Sequence, residues 1–99
     1  MDLTSAQRSY LTRLAHAVQP VVQIGKAGLT PSVIMALSKA LEDHELVKVK
    51  FQGFKDEKND LSQKAEEATS SVLVRLVGNT AIYFKYQADA KLRQVKLPR

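Results

Sequence analysis

The sequence predicts a single α/β domain, of the α+β kind, in which three helices pack on a mixed four-stranded sheet. Its apolar residues alternate between helical and strand spacing in the order α-β-α-β-α-β-β. Strand–helix–strand units favour right-handed crossovers, and the Gly78-Asn79 pair predicts that the last two strands form an antiparallel hairpin. Of the 99 residues, 44% are hydrophobic, which supports one core and excludes a second domain and wholesale disorder.

The first helix is predicted to begin after Thr4, because Thr4 and Gln7 have the spacing of a capping box. Its apolar residues recur at helical spacing: Leu11, Leu14, Ala15 and Val18. Pro20 ends this helix, and the β-branched segment 21–24 predicts the first strand. The second helix should follow Thr30, which is a favourable N-cap residue.

Three further strands and one more helix complete the predicted domain. The strands cover residues 46–51, 72–77 and 80–86, and the helix covers residues 61–68. The strand at 46–51 alternates, with apolar side chains on one face and Lys48 and Lys50 on the other. We expect six side chains of the core to be buried: Leu11, Val22, Ile24, Leu37, Val47 and Val49.

The charge of the chain changes sign along its length, although the net charge is +5 and the pI is about 9.6. Residues 1–41 carry four Lys and Arg against one acid, and residues 69–99 carry six against one. Residues 42–68 carry five Lys against eight acids. Such asymmetry is typical of a surface that attracts a polyanion, most often nucleic acid, with a merely solvated surface as the alternative. We expect the acids of 42–68 to lie mostly away from any phosphate site.

The loop Gly25-Lys26-Ala27-Gly28, between the first strand and the second helix, is the strongest candidate site. Glycine lets a phosphate approach the backbone, and a helix N-terminus offers unpaired amides and a positive dipole end. Lys26 adds a mobile charge. The spacing is not that of a P-loop or of a dinucleotide fingerprint. The alternative is a strand-to-helix turn that needs glycine only for its dihedral angles.

Further basic residues could extend this site. Arg8 and Arg13 share the polar side of the first helix with His16, where a solvated face is the alternative. The C-terminal segment carries four more basic residues: Lys91, Arg93, Lys96 and Arg99. We predict that this tail, residues 87–99, is mobile without a ligand, because it lacks a strong apolar period.

The sequence predicts no catalytic residue, cofactor, metal or small-molecule substrate. Cys is absent, and His44 stands among carboxylates without a second His nearby, so neither nucleophilic nor metal chemistry is favoured. Tyr10, Tyr83 and Tyr86 could stack on bases. Alternation along the last strand places two of Tyr83, Phe84 and Tyr86 on one sheet face, however, which favours packing for these three. We expect no signal peptide, membrane span or membrane partner, and the Cys-free composition favours a cytoplasmic protein.

Several segments carry a resemblance to the YhbY-like, CRM-domain family. The longest are Pro20-Val21-Val22-Gln23-Ile24-Gly25-Lys26-Ala27-Gly28-Leu29-Thr30 and His44-Glu45-Leu46-Val47-Lys48-Val49-Lys50, and the shorter ones are Gln7-Arg8, Leu14-Ala15-His16, Ala65-Glu66-Glu67-Ala68-Thr69, Val77-Gly78-Asn79-Thr80 and Ile82-Tyr83-Phe84. The resemblance covers residues 4–86 and points to the single-domain bacterial form. It implies a fold similar to the C-terminal domain of translation initiation factor 3. The family's GxxG motif maps onto Gly25, Lys26, Ala27 and Gly28, and its basic first helix maps onto Arg8 and Arg13.

The resemblance implies a non-enzymatic protein that binds ribosomal RNA, on precursors of the large ribosomal subunit. Residues 1–86 would form the RNA-binding domain, and the basic tail 87–99 would add contacts through Lys91 and Arg93. A module that binds a protein of the translation machinery through an exposed sheet face is the first alternative. A small enzyme acting on a phosphate ligand is the second, and the missing catalytic groups disfavour it.

Overall fold

Three helices and four strands alternate as predicted in the computed structural model, which describes residues 2–53 and 56–98. The helices are α1 (Ser5–Ala15), α2 (Pro31–His44) and α3 (Lys58–Thr69). The strands are β1 (Val22–Ile24), β2 (Leu46–Phe51), β3 (Val72–Val77) and β4 (Thr80–Phe84), and a short 3-10 helix covers Ala90–Leu92. The predicted fold class is therefore confirmed, with β4 ending at Phe84 rather than at residue 86.

Both predicted N-caps are present. The Thr4 hydroxyl accepts from the backbone N–H of Gln7 at 3.1 Å, and the Gln7 side chain accepts from the N–H of Thr4 at 3.0 Å. Thr30 accepts from the N–H of Val33 at 3.2 Å, with Pro31 in the first turn of α2. These bonds satisfy amides that would otherwise lack partners, and they set where α1 and α2 begin.

The sheet has the strand order β1-β2-β4-β3, with β1 parallel to β2 and the other neighbours antiparallel. The turn between β3 and β4 is the predicted Gly78-Asn79 pair. Within this pair only Gly78 has a positive φ, at 57°, which is the pattern of a type II′ hairpin turn and explains why glycine stands first.

The sheet is covered on both faces, so the core has two halves. On one face it packs against α2 and α3 through these buried residues: Val22, Ile24, Leu37, Leu41, Val47, Val49, Phe51, Ala65, Ala81 and Tyr83. The other face packs against α1 through Leu11, Ala15, Leu46, Val74, Ile82 and Phe84. All six predicted core residues are buried. Leu14, expected in the apolar stripe of α1, is instead 37% exposed.

The two ends of the sheet carry different connections. Ile24 pairs with Phe51, and the N–H of Phe51 donates to the carbonyl of Asn79 at 2.7 Å. The Gly25–Gly28 loop, the chain leaving β2 and the β3–β4 hairpin therefore lie at one end, here called the loop end. Leu46 pairs with Phe84 at the opposite end, where the tail departs, here called the tail end.

Tyr83 is buried between the sheet and α3, and its hydroxyl donates to the carbonyl of Ser62 at 2.9 Å. Burial raises the pKa of this hydroxyl above its ordinary value, because the phenolate would lose its hydration. Because the folded-state pKa is above the unfolded value, the buried hydroxyl contributes fully to the free energy of unfolding below about pH 10, and this contribution is lost as pH rises further.

Replacing Tyr83 with Phe is therefore expected to have opposite effects in two pH ranges. At neutral pH the variant should lose about 1 kcal/mol, because the carbonyl of Ser62 loses its donor. Above pH 10 its melting temperature should fall less steeply than that of the parent chain. Thermal unfolding measured from pH 7 to pH 11 tests this, and parallel curves for the two proteins would contradict the assignment.

Candidate nucleic-acid interface

The Gly25–Gly28 loop is a closed turn between β1 and α2. The N–H of Gly28 donates to the carbonyl of Gly25 at 2.9 Å, and the N–H of Thr30 donates to the carbonyl of Gly28 at 3.1 Å. Gly28 has a φ of 74°, in the left-handed region where a Cβ is unfavourable. The turn that delivers the chain into α2 therefore requires glycine at position 28.

Gly25 differs from Gly28 because nothing in the fold requires glycine there. Its φ is not in the left-handed region, and a Cβ built on it would meet no atom within 4 Å. Lys26 and Ala27 are exposed, and their backbone N–H groups have no acceptor among the described residues. The loop thus offers two amides, one cation and open space at Gly25, all directly before the N-terminus of α2.

The two arginines of α1 have different environments. Arg13 is exposed. Arg8 is half-buried, and its guanidinium donates to the carbonyls of Leu73 and Val74, each at 2.8 Å. Arg8 is therefore engaged with the outer edge of β3 at the tail end, whereas Arg13 retains a free guanidinium in the part of the chain that the structure describes.

The predicted mobility of the tail is wrong, because the tail is held by a buried carboxylate. Glu45 is completely buried at the end of α2. It accepts the backbone N–H groups of Gln87 at 2.9 Å, Gln94 at 2.6 Å and Val95 at 2.9 Å. Val95 also packs against the α1 side of the core, together with Leu97. The spacing of apolar residues could not predict this attachment, because the donors are backbone N–H groups, which every residue type except proline carries.

The basic residues of the tail lie on this docked segment. Lys91 is exposed. The Arg93 guanidinium lies 4.7 Å from the ring centre of Tyr86, and its Nε donates to the carbonyl of Gln87 at 3.0 Å. Arg99, also predicted to contact the ligand, lies outside the described residues. Lys91 and Arg93 are at the tail end, so the structure does not bring them together with the Gly25–Gly28 loop.

Sequence reasoning assigned no ligand contact to three cations on the α1 side of the sheet. Lys48 and Arg75 both pair with Ile82, and Lys50 pairs with Thr80. Ile82 belongs to the α1 side of the core, so its cross-strand neighbours share that face. Together with two neighbours these cations form a surface at the loop end, the basic sheet face, which consists of Lys48, Lys50, Arg75, Val77 and Thr80. The alternation of lysines in β2 was the signal that could have found it.

The acids are distributed unevenly around the sheet. Helix α1 and the four strands contain no Asp or Glu. Glu66 bonds to the N–H of Leu73 on β3, which is at the opposite edge of the sheet from β1, so it lies away from the loop as expected. Asp56 and Glu57 follow β2 and leave the sheet at the loop end, so the expected separation holds only in part.

Comparison with known proteins assigns the chain. The family model described as the CRS1/YhbY (CRM) domain matches residues 3–85. The chain belongs to the CRM-domain family. The CRM-domain match contains the Gly25–Gly28 loop, α1 and the basic sheet face, whereas the docked tail follows it.

Close relatives of this CRM domain match over nearly their full length. The probable RNA-binding protein YqeI of Bacillus subtilis is 35% identical over 97% of this chain and 99% of its own. An RNA-binding protein of Haemophilus influenzae is 35% identical over 98% of this chain and 96% of its own. The solution structure of the Staphylococcus aureus protein SAV1595 superposes with a TM-score of 0.81 at 35% identity, covering 98% and 100% of the two chains.

The chemistry of this CRM domain is that of a binding module. These relatives are named for RNA binding rather than for an enzymatic activity. Within residues 2–53 and 56–98, no helix is long and apolar enough to cross a membrane. The same residues assemble no group of three His, Asp or Glu side chains able to hold a metal ion.

Proposed function

We propose that this CRM domain is a cytoplasmic RNA-binding protein that contacts ribosomal RNA of large-subunit precursors through the Gly25–Gly28 loop. One observation carries the proposal: the loop leaves two backbone amides, one exposed cation and open space at the start of α2. Relatives named RNA-binding proteins support RNA as the ligand. The resemblance stated from the sequence implies the ribosomal target.

A phosphate group at this loop would be held by three effects that act together. The N–H groups of Lys26 and Ala27 would donate to its oxygens, and the Lys26 ammonium would neutralise its charge. The N-terminus of α2 places the positive end of its dipole there. All of these groups would act on the phosphate rather than on a base, so the loop would position RNA without selecting its sequence.

The other predicted contacts extend the site in two directions. Arg13 would continue the track along α1, while Arg8 would act by holding β3 in place. Lys91 and Arg93 of the tail 87–99 would reach a separate stretch of RNA beyond the tail end of domain 1–86. An RNA that contacts both ends of the sheet would have to be longer than the segment held at the Gly25–Gly28 loop alone.

Replacing Lys26 with Ala is expected to weaken RNA binding without changing stability. The side chain is exposed, so the free energy of unfolding should change by less than about 0.5 kcal/mol. The slope of log affinity against log salt should fall by about 0.7, which is one phosphate on single-stranded RNA. Fluorescence anisotropy at several salt concentrations measures the affinity and its salt slope, and chemical denaturation measures the free energy of unfolding.

The matched control for this variant is Lys39→Ala. Lys39 is an exposed lysine on α2, and its ammonium pairs with the carboxylate of Asp43 at 3.3 Å. The substitution removes the same charge as Lys26→Ala, and the binding curve of this variant should overlay that of the parent chain. If both variants bind as the parent does, the loop is a turn and not a phosphate site.

The ribosomal target is tested separately, by crosslinking in cells and sequencing the bound RNA. Enrichment of precursor large-subunit RNA over mature ribosomes supports the assignment. Enrichment of messenger RNA alone would retain RNA binding and reject the ribosomal target.

A protein ligand is favoured by one specific feature, an apolar groove beside the tail. Its lining includes Leu14, Val18, Val21 and Val95, and Val21 is 54% exposed. Binding through this groove would depend weakly on salt, because it would release no counterions. A salt-insensitive complex with a translation factor would therefore support the protein-interaction alternative.

A further inference from the structure

The basic sheet face brings together three cations that have no ion-pair partner among the described residues. Lys50 and Arg75 are exposed and Lys48 is half-buried, and none of the three has a carboxylate within ion-pair distance among the described residues. Pairing across the strands places Lys48, Ile82 and Arg75 in one row. Lys50, Thr80 and Val77 form the next row toward the loop end.

The sheet holds these cations at fixed spacings. Lys48 and Arg75 stand on strands two positions apart, so their backbones are about 10 Å from each other. Lys48 and Lys50 are two residues apart on one strand, about 7 Å. On the α1 side of the sheet, helix α1 covers the tail end but leaves a groove at the loop end, and Thr12 and His16 of the α1 segment also line this groove. Of the three cations, Lys48 lines this groove directly, and Lys50 and Arg75 stand on the same face of the sheet beside it.

We infer that the basic sheet face is a second phosphate-binding surface, which continues the RNA path from the Gly25–Gly28 loop along the α1 side of the sheet. The inference rests on the proposed RNA binding and adds a specific surface to it. Gln23, the middle residue of β1, pairs with Lys50, so the strand that leads into the loop adjoins this face. A backbone bound at Lys26 can thus reach Lys50 across a single strand.

The residue types of this face indicate which part of RNA it contacts. The two rows contain three cations, a hydroxyl and two aliphatic side chains, but no aromatic ring. Single-stranded RNA is usually held by stacking its bases on aromatic residues, whereas cations contact phosphates. The face should therefore bind the backbone of RNA irrespective of sequence, and a base-paired segment as well as an unpaired one.

The test is the double variant Lys50→Ala/Arg75→Ala, with fluorescently labelled oligouridine and an RNA hairpin of unrelated sequence as probes. Affinity for both probes should fall about ten-fold at 0.1 M salt, and the salt slope on oligouridine should fall by about 1.4, or two phosphates. The control Lys39→Ala/Lys64→Ala removes the same charge from α2 and α3, where each lysine pairs with an acid. The control should bind as the parent does.

The charge-conserving variant Lys50→Arg/Arg75→Lys keeps the inference falsifiable if the alanine variant is unstable, and it should retain the parent salt slope. Equal losses in the two alanine variants would mean that only net charge matters, and would overturn the assignment. So would a double variant that binds as the parent does. A parent chain that binds neither probe would instead reject the proposed function itself.

Discussion

Glu45→Ala is expected to destabilise the protein by about 2–4 kcal/mol and to release the tail. The carboxylate is completely buried and accepts three backbone N–H groups, from Gln87, Gln94 and Val95. Alanine would leave these donors without a partner, and each buried unsatisfied donor costs about 1–3 kcal/mol unless the tail moves into water. Chemical denaturation measures the stability, and trypsin cleavage after Lys91 and Arg93 measures the release.

Two further variants at this position separate the possible causes. Glu45 has a φ of 62°, so Glu45→Gly should recover about 1 kcal/mol relative to Glu45→Ala by relieving backbone strain. The tail should remain accessible to trypsin in both. Glu45→Gln keeps the volume but turns an amide N–H₂ toward a backbone donor, so it should also loosen the tail. Unchanged cleavage in all three variants would show that the tail is held by its apolar contacts instead.

Gly25→Asp is expected to cause the largest loss of RNA affinity of any single change in the loop. A carboxylate there would stand where the phosphate is proposed to bind, and like charges a few ångströms apart cost about 1–4 kcal/mol. Binding should weaken ten-fold or more. The folded state should be little affected, because φ is unstrained and the Cβ meets no atom within 4 Å.

Gly28→Ala is the matched control, because it strains the loop without adding charge. At a φ of 74° it should lose about 1–2 kcal/mol of stability. Measured well below its melting temperature, it should bind RNA more tightly than Gly25→Asp. If the two variants lose affinity equally, the loop conformation and not a phosphate contact determines binding.

The order of helices and strands was predictable because the helix caps and turn residues in the sequence agree with the tertiary structure. Thr4 and Thr30 cap helices that pack as expected, and Gly78 starts the turn that its residue type favours. The position of Leu14 was less predictable. Whether every apolar residue on one side of a helix is buried depends on which other segments cover that side, and Leu14 borders an open groove.

The candidate site was predictable only where its parts are adjacent in sequence. The Gly25–Gly28 loop is contiguous, so its residues were found together. Lys48 and Arg75 are 27 positions apart, and their shared row depends on the order of strands and on an irregularity in the register between Leu73 and Arg75. The tail attachment was hidden for a related reason, since Glu45 is charged and its burial follows from backbone donors far along the chain.

The position of Arg8 has a consequence for solubility. β3 is an outer strand of the sheet, and its exposed backbone could add a strand from another molecule. Arg8 occupies the carbonyls of Leu73 and Val74, while Glu66 occupies the N–H of Leu73. The part of this edge at Leu73 and Val74 is therefore blocked from pairing with another molecule. Arg8→Ala should expose it and promote aggregation on heating, which would reduce the yield of active protein without any loss of RNA contact.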